Sequence, residues 1–300
     1  YRYPVSKTAD GTQQILYSSD MSSWTTRRIS QRIVSEDADR VVIEATAPSG
    51  TKGFFKVTAF AEESMLAVAG GVIPNQGLAG TAVAPFQIAI SETTFSEWMA
   101  VRDWAVLNGY PDLAGVGQGS GPDHPVRRVS WYDVAKWLNA KSESEGLTPV
   151  YGVDGSIYRE GEVEPTRNAA ANGYRLPTAA EWEWAARGGT ASQGYQYSGS
   201  SDLNSVAWNW DNSSGSVVNL DQGRGTWPVA TKAANELGIY DMSGNVWEWC
   251  EEWFNEGNRS MRGGASLSPL TYQCVVWYGG AFYPAFRGDG IGFRVARNAD

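Results

Sequence analysis

Two cysteines, Cys250 and Cys274, and one histidine, His124, are the whole supply of thiol and imidazole in these 300 residues. A zinc site of the Cys/His type lacks ligands. A Ser-His-Asp or Cys-His nucleophile would have to use His124, which lies in D-H-P-V-R-R-V-S-W (123–131) with no G-x-S-x-G elbow anywhere. We therefore expect a structural His124 and no haem. G-V-G-Q-G-S-G (115–121) misses the dinucleotide fingerprint and follows no strand, so we expect a flexible loop there and no nucleotide.

The other chemistry is aromatic. C-V-V-W-Y-G-G-A-F-Y-P-A-F-R-G-D-G-I-G-F-R (274–294) crowds Trp277, Tyr278, Phe282, Tyr283 and Phe286 among glycines and a proline. Fourteen Trp and fourteen Tyr are more than an ordinary core asks for. They suit a loop-rich fold pinned by indoles, or a surface built to bind. The net charge of −9 argues against a nucleic-acid partner, which needs a basic face. No apolar run approaches the roughly 20 residues of a membrane-spanning helix.

The elements that must position these residues fall into two regions. Residues 1–64 carry the β-type runs Q-I-L-Y-S-S-D-M-S-S-W, D-R-V-V-I-E-A-T-A and K-G-F-F-K-V-T-A-F between turn signals, which predicts a small antiparallel β module. In residues 65–300 helices declare themselves by their caps. Thr94/Glu97, Ser130/Asp133 and Thr178/Glu181 each set a hydroxyl three residues before a carboxylate. Gly188-Gly189 stops the third helix. Beyond it helix signals vanish, and so much irregular chain implies loops with a function.

G-Y-R-L-P-T-A-A-E-W-E-W-A-A-R-G-G (173–189), N-E-L-G-I-Y-D-M-S-G-N-V-W-E-W (235–249), M-R-G-G-A-S (261–266) and I-G-F-R-V-A-R (291–297) occur in that order. With weaker matches at 69–74, 90–98 and 124–134, this set resembles the formylglycine-generating enzyme, or sulfatase-modifying factor, family. The resemblance covers about residues 65–298. It implies an α+β, loop-rich C-type-lectin-like fold of the formylglycine-generating type. Arg175, Arg262 and Arg294 would then be buried loop pins, and Trp182, Trp184, Trp247 and Trp249 core.

The family's oxidase binds copper through a cysteine pair near the strand before the final G-F-R. Only Cys274 stands there, so no copper is expected. The related sulfoxide synthases need a histidine-rich iron site, which one histidine cannot build. No catalysis of the family's kind is expected, with an oxidase or an inactive structural member kept as alternatives. The frame also resembles the variable proteins of diversity-generating retroelements, in which this scaffold displays a hypervariable C-terminal segment. Arg262-Gly263-Gly264, Cys274, Pro284, Arg287 and Ile291-Gly292-Phe293-Arg294 follow that pattern, departing at Ala265-Ser266 where Ser-Trp is usual. Most residues between these points are reachable from an Asn codon by changing its adenines; Trp277 is not.

The resemblance thus implies a receptor- or adhesin-like protein whose segment of about 266–290 binds a protein or surface ligand. Its expected face is Ser268, Leu270, Tyr272, Trp277, Tyr278, Phe282, Tyr283, Phe286 and Asp289, all exposed together. Asp241, Gly244, Val246 and Glu248 match positions where the family's oxidase holds calcium; its other calcium loop is not recognisable, though Asn209 and Asp211 lie near it. Cys250 and Cys274 follow two strand-like stretches expected to be neighbours. A disulfide between them would close a loop of about two dozen residues and stabilise by roughly 3 kcal/mol. It would fit an extracellular or cell-surface setting. Two free buried thiols are the alternative.

Overall fold

The computed structural model describes residues 65–299 apart from 219 throughout, and before them the backbone of five strands. The chain divides into two compact units, Tyr1–Glu63 and Ser64–Asp300. In the first, β1 (Arg2–Ser6), β3 (Ser30–Glu36) and β4 (Arg40–Thr46) form an antiparallel sheet in the order β1-β4-β3. β2 (Gln13–Ser18) pairs antiparallel with β5 (Phe54–Ala59). Strands β2, β4 and β5 fall on the three expected runs. The turn stretches between them lie outside the described residues.

In the second unit every expected cap starts a helix. Thr94 caps α1 (Phe95–Leu107), Ser130 caps α2 (Trp131–Ser144) and Thr178 caps α3 (Ala179–Ala186), each with both halves of the capping box formed. Each box satisfies two backbone N–H groups that the first helical turn leaves without partners. α3 ends where Gly188 takes φ +86°, a left-handed turn that a β-carbon would strain. A single further turn, α4 (Leu203–Val206), is capped by Asp202 and is too short to show in the residue pattern.

Short strands complete the unit. β6 (Met65–Val68), β9 (Phe86–Ala89) and β17 (Ala296–Asn298) form a sheet in the order β17-β9-β6, joining the two ends of the unit. β7 (Gly71–Val72) pairs with β8 (Ala82–Val83), and β10 (Tyr151–Val153) lies between β11 (Ser156–Ile157) and β12 (Thr166–Arg167). The main sheet is the hairpin β13 (Trp247–Asn255) and β14 (Asn258–Arg262), with β15 (Gly280–Phe282) outside β14 and β16 (Ile291–Gly292) parallel to β13. β15 is therefore an edge strand.

Indoles hold this loop-rich unit together. Trp98 and Trp137 stack at 5.6 Å, and both meet Phe293 edge-on at 6.0 and 5.3 Å. They belong to a core that also includes Trp131, Trp249 and Val295. A second core gathers Trp182, Trp184, Phe86, Ile88, Met242, Cys250 and Val276. Fully burying such a side chain stabilises by roughly 1.5–3 kcal/mol, provided its polar atom finds a partner. Each buried indole N–H does: Trp98 donates to Val116 O, Trp131 to Cys250 O, Trp137 to Trp98 O and Trp249 to Val129 O. Trp247 is only half-buried, unlike its expected core role.

The arginines pin as expected. Arg175 forks onto Glu181 at 2.7 Å for both bonds and reaches Leu176 O. Arg294 forks onto Glu248, also at 2.7 Å, and donates to Ala89 O and Tyr240 O. Residues 115–121 form a packed segment instead of a loose loop. Gln118 exchanges backbone hydrogen bonds with Arg127, and a β-carbon on Gly117 or Gly119 would collide with Trp98 or Phe95. His124 is buried and lies 3.2 Å from Thr226 Oγ1, with burial lowering its pKa.

Candidate binding face

The segment 266–290 is held at intervals by its frame residues. At its start Gly263 and Gly264 turn with φ +93° and +72°, and a β-carbon on Gly264 would lie 2.7 Å from Cys274 Sγ. Arg262, buried beside them, pairs with buried Glu183 at 3.1 Å. Ser266 N–H donates to Asn245 O and Val276 N–H to Gln196 O. At its end Pro284 O accepts from the Trp131 N–H at the start of α2, and Gly288 O from Arg128 N–H. Arg287 forks onto Asp133, the capping-box carboxylate of α2, at 2.6 and 2.8 Å. Gly290 O then accepts from Trp247 N–H as the chain enters β16. These fixings use backbone groups and frame side chains, leaving Leu270, Tyr272, Phe282 and Tyr283 exposed between them.

Those side chains divide. Leu270, Tyr272, Phe282 and Tyr283 are 47, 49, 38 and 50% exposed. Tyr278 and Phe286 are half-buried: Tyr278 lies between Tyr272 at 5.3 Å and Trp247 at 6.1 Å, and Phe286 stacks on Phe282 at 4.0 Å while packing on the first core. With these two, five of the nine side chains expected to be exposed together are not. Ser268 is buried, because its Oγ accepts from Ala265 N–H at 3.1 Å and meets the Trp247 indole N–H at 3.1 Å. Trp277 is half-buried against the second core with the Arg187 guanidinium 5.4 Å from its ring. Asp289 is drawn inward by Arg127 and by a two-point contact with Arg128 at 2.6 and 2.7 Å.

The hairpin supplies rings that the reading of the sequence missed. Trp253 and Phe254 are exposed on β13. Trp253 pairs across the sheet with Arg259, and Arg259 with Phe282, so all three share one face. A β-carbon on Gly279 would touch Phe254 at 3.3 Å, which puts that ring beside the start of β15. Among the described residues six aromatics are exposed, and five of them are Trp253, Phe254, Tyr272, Phe282 and Tyr283. The run W-E-W-C-E-E-W-F carried a usable signal: its last two rings lie beyond the residues that the core takes up.

Of the residues matched to calcium positions, one carboxylate is engaged elsewhere and one keeps an oxygen without a partner. Glu248 is wholly buried, and its two oxygens already accept from Arg294 and from Trp182 Nε1. A divalent cation there would face a guanidinium at hydrogen-bond distance. Asp241 contributes one buried oxygen with no partner, its other accepting from Ala230 N–H at 2.7 Å. No group of three or more His, Cys, Asp or Glu among the described residues could hold a metal. Burial pushes the Asp241 carboxyl up to about 6 and Glu92 well above the carboxylate range. Asn209 and Asp211 close a local turn, the Asn209 side-chain Oδ1 accepting from Asp211 N–H.

The disulfide is also corrected. Cys250 and Cys274 are both free and buried. Cys250 faces the second core, whereas Cys274 packs with Leu203, Val206 and Ala207 in a separate apolar cluster. Burial pushes the Cys274 thiol up to about 12 and Cys250 well above the ordinary thiol value, so both stay protonated.

The comparisons with known proteins agree with this architecture. The family model for the sulfatase-modifying factor enzyme 1-like domain matches residues 50–299. A protein named chaperone protein LppX, from Paenibacillus barcinonensis, is 36% identical over 240 residues, covering 72% of this chain and 81% of that one. A formylglycine-generating enzyme of Streptomyces coelicolor is 29% identical over 205 residues, covering 60% of this chain and 54% of the enzyme. The solved structure of Treponema denticola variable protein 1 superposes with a TM-score of 0.62 at 24% identity, covering 84% of this chain and 98% of that one, which shows a shared fold. With the loop-pinning arginines, the capped helices and the order of motifs in place, the chain belongs to the sulfatase-modifying factor enzyme 1-like domain family.

Proposed function

We propose that this protein is a non-catalytic binder whose segment 266–290, with the β13 rings beside it, is a displayed ligand-binding face diversified by a retroelement. The observation that carries the reading is the division of labour within that segment. Frame residues Arg262, Cys274, Phe293 and Arg294 are buried and Arg287 is held by Asp133, while Leu270, Tyr272, Phe282 and Tyr283 between them are exposed. Exposed aromatic clusters of this kind mark interaction sites, and Tyr offers large contact area with few rotamers to freeze. Trp277, which adenine changes in an Asn codon cannot produce, is half-buried against the second core, where a template-encoded residue belongs.

Against oxidase chemistry, Cys274 lies in an apolar cluster and Cys250 in a different core. A thiolate pair for copper is not offered by this arrangement. With both thiols free, the disulfide argument for an extracellular setting lapses, and a surface location rests on the binding reading alone. The locus supplies the test. A near-identical non-coding copy of the 266–290 coding stretch beside a reverse transcriptase, differing at adenines, is expected; an intact locus without one removes diversification. A second reading, an undiversified partner-binding member, is favoured by the 36% identity to a protein named a chaperone. Copper-dependent oxidation of a cysteine-containing sulfatase peptide would sink both.

A further inference from the structure

Resting on the binding-face reading, we propose that the face takes a basic protein segment, one presenting lysine or arginine side chains to its rings. Of the exposed rings only Trp253 carries a cation of the protein's own, Arg259. Elsewhere cations lie over aromatic faces: Arg224 over Trp210 and Lys232 over Trp208 at 4.1 Å, and Arg259 between Trp131 and Trp253 at 3.7 and 4.1 Å. Among the described residues, no cation lies over Phe254, Tyr272, Phe282 or Tyr283. Their outer faces keep the negative potential that attracts an ammonium or guanidinium.

The rest of the segment does nothing to repel such a group. No lysine follows Lys232 in the sequence. The arginines beyond it are all engaged: Arg259 with Glu164, Arg262 with Glu183, Arg287 with Asp133, Arg294 with Glu248, and Arg297 with Asn172 O and the Tyr174 ring. The rim is acidic. Glu164 and Arg259 cancel each other beside Trp253, so the rim's surplus charge lies on two other carboxylates. Glu162, half exposed, lies 3.9 Å from Arg287, a guanidinium that Asp133 already neutralises. Glu256 is exposed in the β13–β14 turn, two residues past Phe254. An aromatic centre with an acidic rim and no free cation, on a chain of net charge −9, is complementary to a basic surface and steers it in.

Panning a random peptide library against the whole protein tests this, with the Y272A/F282A/Y283A variant as counter-selection. Peptides rich in Lys and Arg are expected to be enriched. Calorimetry with an enriched peptide should show affinity falling roughly tenfold from low to high salt, since exposed charge pairs are screened. The Glu162→Gln/Glu256→Gln variant should bind it several-fold more weakly with unchanged unfolding. If enriched peptides are neutral or acidic and still require the three rings, the face stands and the basic partner falls. If they bind the triple variant as well as the parent protein, the face itself is refuted, and this inference with it.

Discussion

Truncating Tyr272, Phe282 and Tyr283 to alanine, singly and together, separates a displayed surface from a misplaced core. Each ring is 38–50% exposed, so truncation forfeits about half of what a fully buried ring would lose. Full burial of a large side chain is worth roughly 1.5–3 kcal/mol, so each replacement should cost about 1 kcal/mol. Phe282 loses in addition its stack on Phe286 at 4.0 Å, worth about another 1 kcal/mol. Phe293, wholly buried between Trp98 and Trp137, should instead cost about 3–5 kcal/mol as F293A. Urea unfolding followed by indole fluorescence measures all of these. The triple variant should remain folded while losing ligand. Should Y272A or Y283A alone cost as much as F293A, the rings are packing elements and the reasoning fails.

Acidification should stabilise the fold through Asp241. Burial raises its carboxyl from the ordinary 3.8 to about 6, so the folded form holds the proton more tightly than the unfolded chain. That contribution, about 3 kcal/mol, is fully present below about pH 4 and lost as pH rises through 6. Asp241→Asn should flatten this part of the stability–pH curve, and an unchanged slope would refute the assignment. Arg294→Met leaves Glu248 buried without its counter-charge, and unfolding measurements should show a loss of about 3–5 kcal/mol. Thiol titration of the denatured, unreduced protein should count two reactive groups; none would restore the disulfide.

The features legible in the sequence were those that depend on residues close together in it. Thr94/Glu97, Ser130/Asp133 and Thr178/Glu181 bond across three residues, so their spacing alone announces three helix starts. Burial of Arg175 and Arg294 was what the family resemblance implied, and both are buried and paired. Which carboxylate pairs with which arginine was not legible, because Glu248 meets Arg294, and Asp133 meets Arg287, only when distant segments converge. The same holds for exposure. Tyr283 and Trp277 are aromatic neighbours in one glycine-rich stretch, yet one faces solvent and the other the second core. Ser268 looked like a surface residue until the Trp247 indole and the Ala265 N–H claimed its hydroxyl. Composition shows that large rings and glycines share this segment; the direction each ring takes is set by the edge position of β15, the start of α2 and the two cores beneath.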